Sequence, residues 1–581
     1  MADTLKLSEV EHVKQASAYL RGTLAQSLRN PISGALFPDD THLIKFHGSY
    51  QQTDRDLDSE RKRQKLEPLY SFMIRVRVPG GAASAQQWQR IDELADTYAN
   101  GTIKLTTRQA FQFHGVLKRD LKSTIRGFNE ALLDSIAGCG DVNRNVMCNP
   151  NPHESAVHGQ VFAVATAISA HLTPRSTAYW ELWLNGEQQP SPLPEKALSD
   201  NGQPTTDNSN EVEPIYGKTY LPRKFKIALA LPPYNDTDIF ANDIGLIAIE
   251  ENGELLGFNV AAGGGLGMTF GMPETYPRLA DLLGFVPADK AVDVCEKVVI
   301  IQRDWGNREN RKLSRLKYTL DRVGLPAFVA ELEQRLGYKL APARPYRFES
   351  SSDAFGWSGD AKGLSHLTLF IEGGRVRDTE AVTLKSALRE IAGFHTGDFR
   401  LTGNQNLILA NIEPRHRARI QAVLEAHNAW PATARQTALR RNSLACVALN
   451  TCSQAFAEAE RYLPQLLDKL DTAIRAHGLE NDGILLRMTG CPNGCARPYL
   501  GEIGLVGKAP GRYNLYLGAS YAGERLNKLY REMLDEAGIL RELTPLLADY
   551  ARQRQPRERF GDFVLRQGYV QATTHGLDFH N

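Results

Sequence analysis

Apolar and polar residues alternate most cleanly in a few short runs. Phe72, Ile74, Val76 and Val78 share one parity and Arg75 and Arg77 the other, which puts them on opposite faces of a strand. The same reading predicts strands over residues 71 to 78, 102 to 114, 223 to 231, 366 to 372 and 398 to 410. Apolar positions three and four apart predict helices over 85 to 99, 274 to 284 and 454 to 477. An α+β fold follows. Residues 187 to 213, rich in Pro, Ser, Asn and Asp, read as a polar surface excursion, and Pro342 to Asp353 as a connection. Residues 1 to 62 precede the first repeat; charged, helix-like segments at Ser8 to Asn30 and at Arg55 to Lys65 read as an arm that wraps the core or meets a partner.

Three landmarks recur in register. Gly80-Gly81 after the first strand matches Gly373-Gly374 after the run ending at Ile371. Gly101 to Gln109 matches Gly397 to Gln405, and Arg144-Asn145 with Cys148 matches Arg441-Asn442 with Cys446. The chain is therefore internally duplicated, a pseudo-two-fold pair of mixed-sheet units with ligands expected between the halves.

Charge differs between the copies. Lys224 and Lys226 oppose Phe225 and Ile227, and Lys104, Thr106, Arg108, Gln112 and His114 share even parity, one polar face if no bulge intervenes. In the second copy Arg75 becomes Thr368, Arg77 becomes Phe370 and Arg108 becomes Asn404. Any one such face could look into solvent. Several in one half predict a multiply negative ligand.

The cysteines belong to the second copy. Cys446-x5-Cys452 and Cys491-x3-Cys495, the latter within Thr489-Gly-Cys-Pro-Asn-Gly-Cys495, can bring four thiolates around a cubane iron-sulfur cluster. A zinc site is the rival, but five intervening residues exceed the usual zinc spacing. Cys139, Cys148 and Cys295 read as small buried apolar residues.

Lys plus Arg number 68 against 67 Asp plus Glu, a balance that argues against a nucleic-acid binder. The basic run Arg303 to Lys317 reads as surface or packing. No signal-peptide pattern and no apolar run of membrane-spanning length is seen, so a cytoplasmic enzyme is expected. Gly263 to Gly267 lacks the context of a dinucleotide fingerprint. No flavin or NADPH module is evident.

The cysteine motif resembles that of the sulfite and nitrite reductases that couple sirohaem to a 4Fe-4S cluster. Tyr19-Leu-Arg-Gly22, Phe46 to Gln52, Arg108 to Gly115, Tyr220 to Lys226 and Lys508 to Asn514 extend the resemblance over essentially the whole chain and favour the assimilatory sulfite branch. The resemblance implies six-electron reduction of sulfite to sulfide, with nitrite reduction as the alternative. It implies that Cys446, Cys452, Cys491 and Cys495 ligate the cluster, Cys495 also being axial ligand to the sirohaem iron. Arg75, Arg144, Lys224 and Lys226 would bind the substrate anion and deliver protons; Lys104, Thr106, Arg108, Gln112, His114 and Asn493 would hold the sirohaem, with the Gly263 to Gly267 backbone close to it. Lys104 stands where relatives are expected to carry arginine. The implied domains are a 1–62 arm, paired ferredoxin-like half-domains at 63–137 and 354–432, a sirohaem and anion domain at 138–353, and an iron-sulfur domain at 433–581. Electrons would come from a separate flavoprotein (alpha) subunit carrying FAD and FMN and using NADPH, or from ferredoxin.

Overall fold

The computed structural model describes residues 6–175, 178 and 213–580. Four sheets organise it, in two pairs. The first runs β1 (Ser49–Thr53), β2 (Tyr70–Val76), β5 (Phe111–Val116), β4 (Ile103–Leu105) and β12 (Arg375–Val376). Its counterpart runs β10 (Gly356–Gly359), β11 (Ser365–Leu369), β14 (Leu407–Ile412), β13 (Asp398–Leu401) and β3 (Ala82–Ser84). Each sheet is thus completed by a strand from the other half: β12 pairs with β4 and β3 with β13.

The double glycines make this exchange possible. A Cβ on Gly81, at φ +77°, would stand 2.5 Å from the Leu401 carbonyl oxygen, and one on Gly374, at φ +68°, would stand 2.4 Å from that of Leu105. Any other residue would clash and be strained there. The duplication read from sequence is therefore a spatial pseudo-two-fold.

Helix Ala85–Tyr98 lies between these sheets. Ser84 and Gln87 close a reciprocal capping box at its start, and Trp88, Ile91, Leu94 and Ala95 form its buried face. Trp88 stacks on Phe399 of the second half at 4.6 Å and meets Phe111 of the first edge-on at 5.8 Å. Asp92 and Asp96 pair with Lys385 and Arg389 of helix Leu384–Ala392, the matching helix of the second half.

The other pair of sheets carries the site. One is β6 (Ile227–Ala230), β7 (Ile244–Glu251), β8 (Glu254–Ala262) and β9 (Asp281–Pro287); the other is β15 (Ser443–Ala445), β16 (Leu486–Thr489), β17 (Ile503–Ala509), β18 (Arg512–Leu517) and β19 (Lys528–Leu534). In both, a parallel pair is followed by antiparallel strands. Asn143 and Met147 bridge in parallel to Phe225 and Ala228, in the place that β15 takes beside β16.

Several expectations are corrected. The strand expected over 102 to 114 is the hairpin β4–β5, because the Thr106 hydroxyl accepts from the amides of Arg108 and Ala110 and turns the chain; 398 to 410 breaks in the same way into β13 and β14. Residues 274 to 284 form no helix: Pro277 cannot donate to one, and Asp281 onward pairs with β8 as β9. Helix Leu463–Ala476 starts late, because the Phe456 and Ala457 amides donate to the Gly490 carbonyl instead of to a helical turn. Within the stretch expected to be an arm, β1 is the edge strand of the first sheet. The polar stretch 187 to 213 lies outside the described residues apart from Glu213.

Candidate cluster and anion site

The two cysteine pairs converge because they leave adjacent parallel strands at the same edge. Cys446 follows β15 and its amide donates to the Met488 carbonyl of β16; Cys491 follows the end of β16 by two residues. The Gly490 amide points at Cys446 Sγ, 3.4 Å away. Between Cys491 and Cys495 the chain turns through Gly494 at φ +64°. The thiols feel one another: burial first, then Cys495, Cys491 and Cys452, raises the Cys446 pKa, and burial with Cys495 and Cys452 pushes Cys491 up to about 12. Cys491 is buried and Cys495 exposed, so one thiol of the set faces outward. Among the described residues, no three His, Cys, Asp or Glu side chains gather as they would around one ion. The four thiols nonetheless lie close enough to perturb one another's ionisation, and the five residues between Cys446 and Cys452 exceed the usual zinc spacing.

Register assembles the polar row. Arg75 on β2 is opposite Gln112 on β5, Gln112 is opposite Lys104 on β4, and Lys104 is opposite Arg375 on β12. Phe111 and Phe113 point the other way into the core. Arg75 Nη1 donates to the Gly138 carbonyl at 3.2 Å and to Cys139 Sγ at 3.0 Å, while Arg144 donates to the carbonyls of Gly138 and Gly140 at 2.7 to 3.2 Å. One segment, Gly138 to Gly140, thus orients both arginines. Arg77 is elsewhere, paired with Asp134 at 3.0 Å and donating to Thr173 at 2.7 Å.

Lys224 and Lys226 come just before β6. The Phe225 amide donates to the Val142 carbonyl and the Phe225 carbonyl accepts from the Arg144 amide, which buries the Phe225 ring and leaves the two lysines on the opposite face. Burial, then Arg223 and Arg315, lowers Lys224 to about 7; burial, then Arg108, Lys224 and Arg315, holds Lys226 well below the usual lysine range. Burial and neighbouring arginines likewise bring Arg108 down to about 9 and Arg144 to about 10. Asp243 offsets this only in part, because its oxygens already accept from Arg315 and from the Lys226 amide.

This crowd of cations fits a polycarboxylate. So does His114, 3% exposed, whose two ring nitrogens lack a hydrogen-bond partner among the described residues. Burial keeps that imidazole neutral, so one nitrogen has a proton to donate. Thr106 holds the turn, Arg108 donates to Asn242 Oδ1 at 2.7 and 3.0 Å, and Asn493 is exposed in the cysteine turn. The Lys104 ammonium meets Glu460 at 2.6 Å.

The two halves meet at these turns. Thr107 Oγ1 donates to the Cys495 carbonyl at 3.0 Å, and Arg497 Nη1 donates to the Thr107 carbonyl at 3.0 Å. Arg55, just past the end of β1, donates to the carbonyls of Cys452 and Ala455 at 2.8 and 2.9 Å. Sequence reasoning missed Arg55, Thr107, Glu460 and Arg497, which carry no spacing signal. The basic run 303 to 317 packs inward: Arg311 on Asp141, Arg315 on Asp243, and Lys317 on the Gly265 and Gly267 carbonyls. The glycine-rich loop is explained by backbone packing, since a Cβ on Gly264 would stand 2.1 Å from the Phe240 carbonyl oxygen. Cys139, Cys148 and Cys295 are buried, as expected.

A family model described as "Nitrite and sulphite reductase 4Fe-4S domain" matches residues 169–340, and one described as "Nitrite/Sulfite reductase ferredoxin-like half domain" matches 64–131 and 358–427. The first interval contains Lys224 and Lys226; the four cysteines lie in the other copy. A relative from Staphylococcus epidermidis, named sulfite reductase [NADPH] hemoprotein beta-component, is 55% identical over 577 residues, 99% of this chain and 97% of its own. One of the same name from Geobacillus kaustophilus is 56% identical over 574 residues, 99% and 98%. The solved structure of the Mycobacterium tuberculosis NirA protein matches with a TM-score of 0.76 at 21% identity, over 97% of each chain, a likeness of fold. With sequence likeness across nearly its whole length and the duplicated architecture the two family models describe, the chain belongs to the nitrite and sulphite reductase family.

Proposed function

We propose that the protein reduces sulfite to sulfide, taking up six electrons and releasing three waters, with a 4Fe-4S cluster that Cys446, Cys452, Cys491 and Cys495 would hold and a sirohaem that Cys495 would also serve. The observation that carries this reading is the seam itself, where cations of the first half meet the outward-facing thiol of the second. When bound, the two cofactors supply electron delivery and the sulfur-oxygen bond chemistry.

The chain's residues supply the rest. Arg75 and Arg144, oriented by the Gly138 and Gly140 carbonyls, bind the anion by charge-assisted hydrogen bonds. Each departing oxygen needs protons. Lys224 and Lys226, whose ammonium protons are loosened by burial and by neighbouring cations, donate from Nζ. Arg108, Gln112, His114 and Asn493 bind the macrocycle's carboxylates, with Thr106 fixing the turn that presents Arg108.

The relatives' printed name, with its NADPH and its beta-component, supports a partner subunit that draws electrons from NADPH; in this reading the partner is a flavoprotein carrying FAD and FMN, and the reaction serves assimilatory sulfate reduction and cysteine biosynthesis. Among the described residues no helix is long and apolar enough to cross a membrane, which agrees with a cytoplasmic setting. Absorption spectra with iron and acid-labile sulfide analysis of the purified protein test the cofactors. Comparison of kcat/KM for sulfite and nitrite, each with flavoprotein and with ferredoxin as donor, tests substrate and partner. Colourless protein, or a clear preference for nitrite, overturns the reading.

A further inference from the structure

One ion triad joins the first sheet to the cluster loop. Lys104 and Arg375 are cross-strand neighbours only because β12 crosses into the first half's sheet. Both reach Glu460: Lys104 Nζ stands 2.6 Å from Oε2, Arg375 Nε 2.7 Å from Oε1 and Nη2 3.2 Å from Oε2. Lys104 also donates to the Gly373 carbonyl, and Arg375 Nη1 to Thr102 Oγ1 at 3.1 Å. The side chains of Lys104, Arg375 and Glu460 are 2%, 12% and 13% exposed. Glu460 in turn donates its backbone amide to the Cys446 carbonyl at 3.1 Å. A single carboxylate therefore ties two strands to the loop that carries the first cluster thiol, and two cations against one anion leave a positive charge beside that loop.

We propose that Glu460 is a positioning residue for the cluster, anchored by Lys104 and Arg375, and that Lys104 is committed to this triad rather than to the macrocycle. The inference rests on the cluster assignment above. Its physical content is twofold. The triad holds the Cys446 to Cys452 loop in ligating shape, as outer-shell partners do at metal sites. Its buried charge also sets the field at the cluster, and net charge is one of the levers on an iron-sulfur reduction potential. A lysine at position 104 suits this role, because a compact ammonium can meet one carboxylate oxygen and one carbonyl where a planar fork would demand more room.

The test uses the full-length holoprotein. Glu460→Gln removes a negative charge, so the cluster potential shifts positive and iron retention against a chelator falls about 10- to 100-fold. Lys104→Met removes a positive charge, so the potential shifts negative while tetrapyrrole content stays at the wild-type level. Lys104→Arg keeps the wild-type potential, and the Lys104→Met/Glu460→Gln double variant lies between the two single variants. Shifts of the same sign in both single variants, or no shift in either, overturn the electrostatic role. Loss of tetrapyrrole with an intact cluster in Lys104→Met overturns the assignment of Lys104. If Glu460→Gln does not accumulate folded, Lys104→Met against Lys104→Arg decides alone. Wild-type protein without iron and labile sulfide would instead defeat the cluster assignment, an outcome read before any variant is made.

Discussion

Replacing Asp238 by Asn should loosen the seam between the halves. Asp238 is buried, and its Oδ2 stands 2.6 Å from Arg487 Nη1 and 2.6 Å from Arg497 Nε. Arg487 lies on β16 before Cys491 and Arg497 follows Cys495, so one first-half carboxylate holds both ends of the cysteine turn. The residue sits at φ +46°, a left-handed conformation that Asn tolerates as well as Asp does. The substitution therefore keeps shape and backbone and removes only charge. Stripping the partner from buried cations costs about 3–5 kcal/mol. Over a unit the size of the C-terminal sheet and its helices, each kcal/mol moves Tm by about 2–4 °C, so the melting of that unit should fall by roughly 6–20 °C. Circular dichroism and cluster absorbance, scanned together at one heating rate, report it, and bleaching should come at the lower temperature too. Melting within about 2 °C of wild type by both signals would show that this carboxylate does not hold the seam.

Other outcomes follow from the same geometry. Lys224→Met and Lys226→Met should keep iron and tetrapyrrole yet slow sulfide production by about 10²- to 10⁴-fold, whereas Arg77→Ala, removing a side chain tied to Asp134 and Thr173, should change it little; wild-type turnover in both lysine variants removes them from the mechanism. Serine at any one of Cys446, Cys452 or Cys491 should lower iron per chain sharply, while Cys295→Ser, in the core of helix Ala291–Trp305, should retain it; equal iron in all four would contradict the ligand set. Burial lowers His158 to about 4, so the folded state binds fewer protons than the unfolded chain between that value and about 6.5. Stability from this group is complete above pH 6.5 and declines by roughly 3 kcal/mol as pH falls to about 4; His47, His114, His366 and His395 are lowered by burial too, so urea titrations across that range should show a summed slope that His158→Gln makes shallower by its own share, and an unchanged slope would refute the assignment.

The spacing of the cysteines, the recurrence of Gly-Gly and Arg-Asn, and the parity that separates Arg75 from Ile74 were legible in the chain because each is local: covalent spacing and strand period decide them before anything folds. The same local logic overreached where a pattern has two solutions. Residues 274 to 284 suit a helix until β8 offers a partner, and 102 to 114 suit one strand until the Thr106 hydroxyl turns the chain. Arg55, Thr107, Asp238 and Glu460 could not have been singled out, since their importance comes from carbonyls and charges hundreds of residues away. The order of residues was enough to nominate groups for metal and anion and to say that the scaffold is built twice. How the halves interlock emerged with folding, because exchanging β3 and β12 depends on pairing energies between distant segments, and that exchange is what brings a first-half cation and a second-half thiol to the same seam.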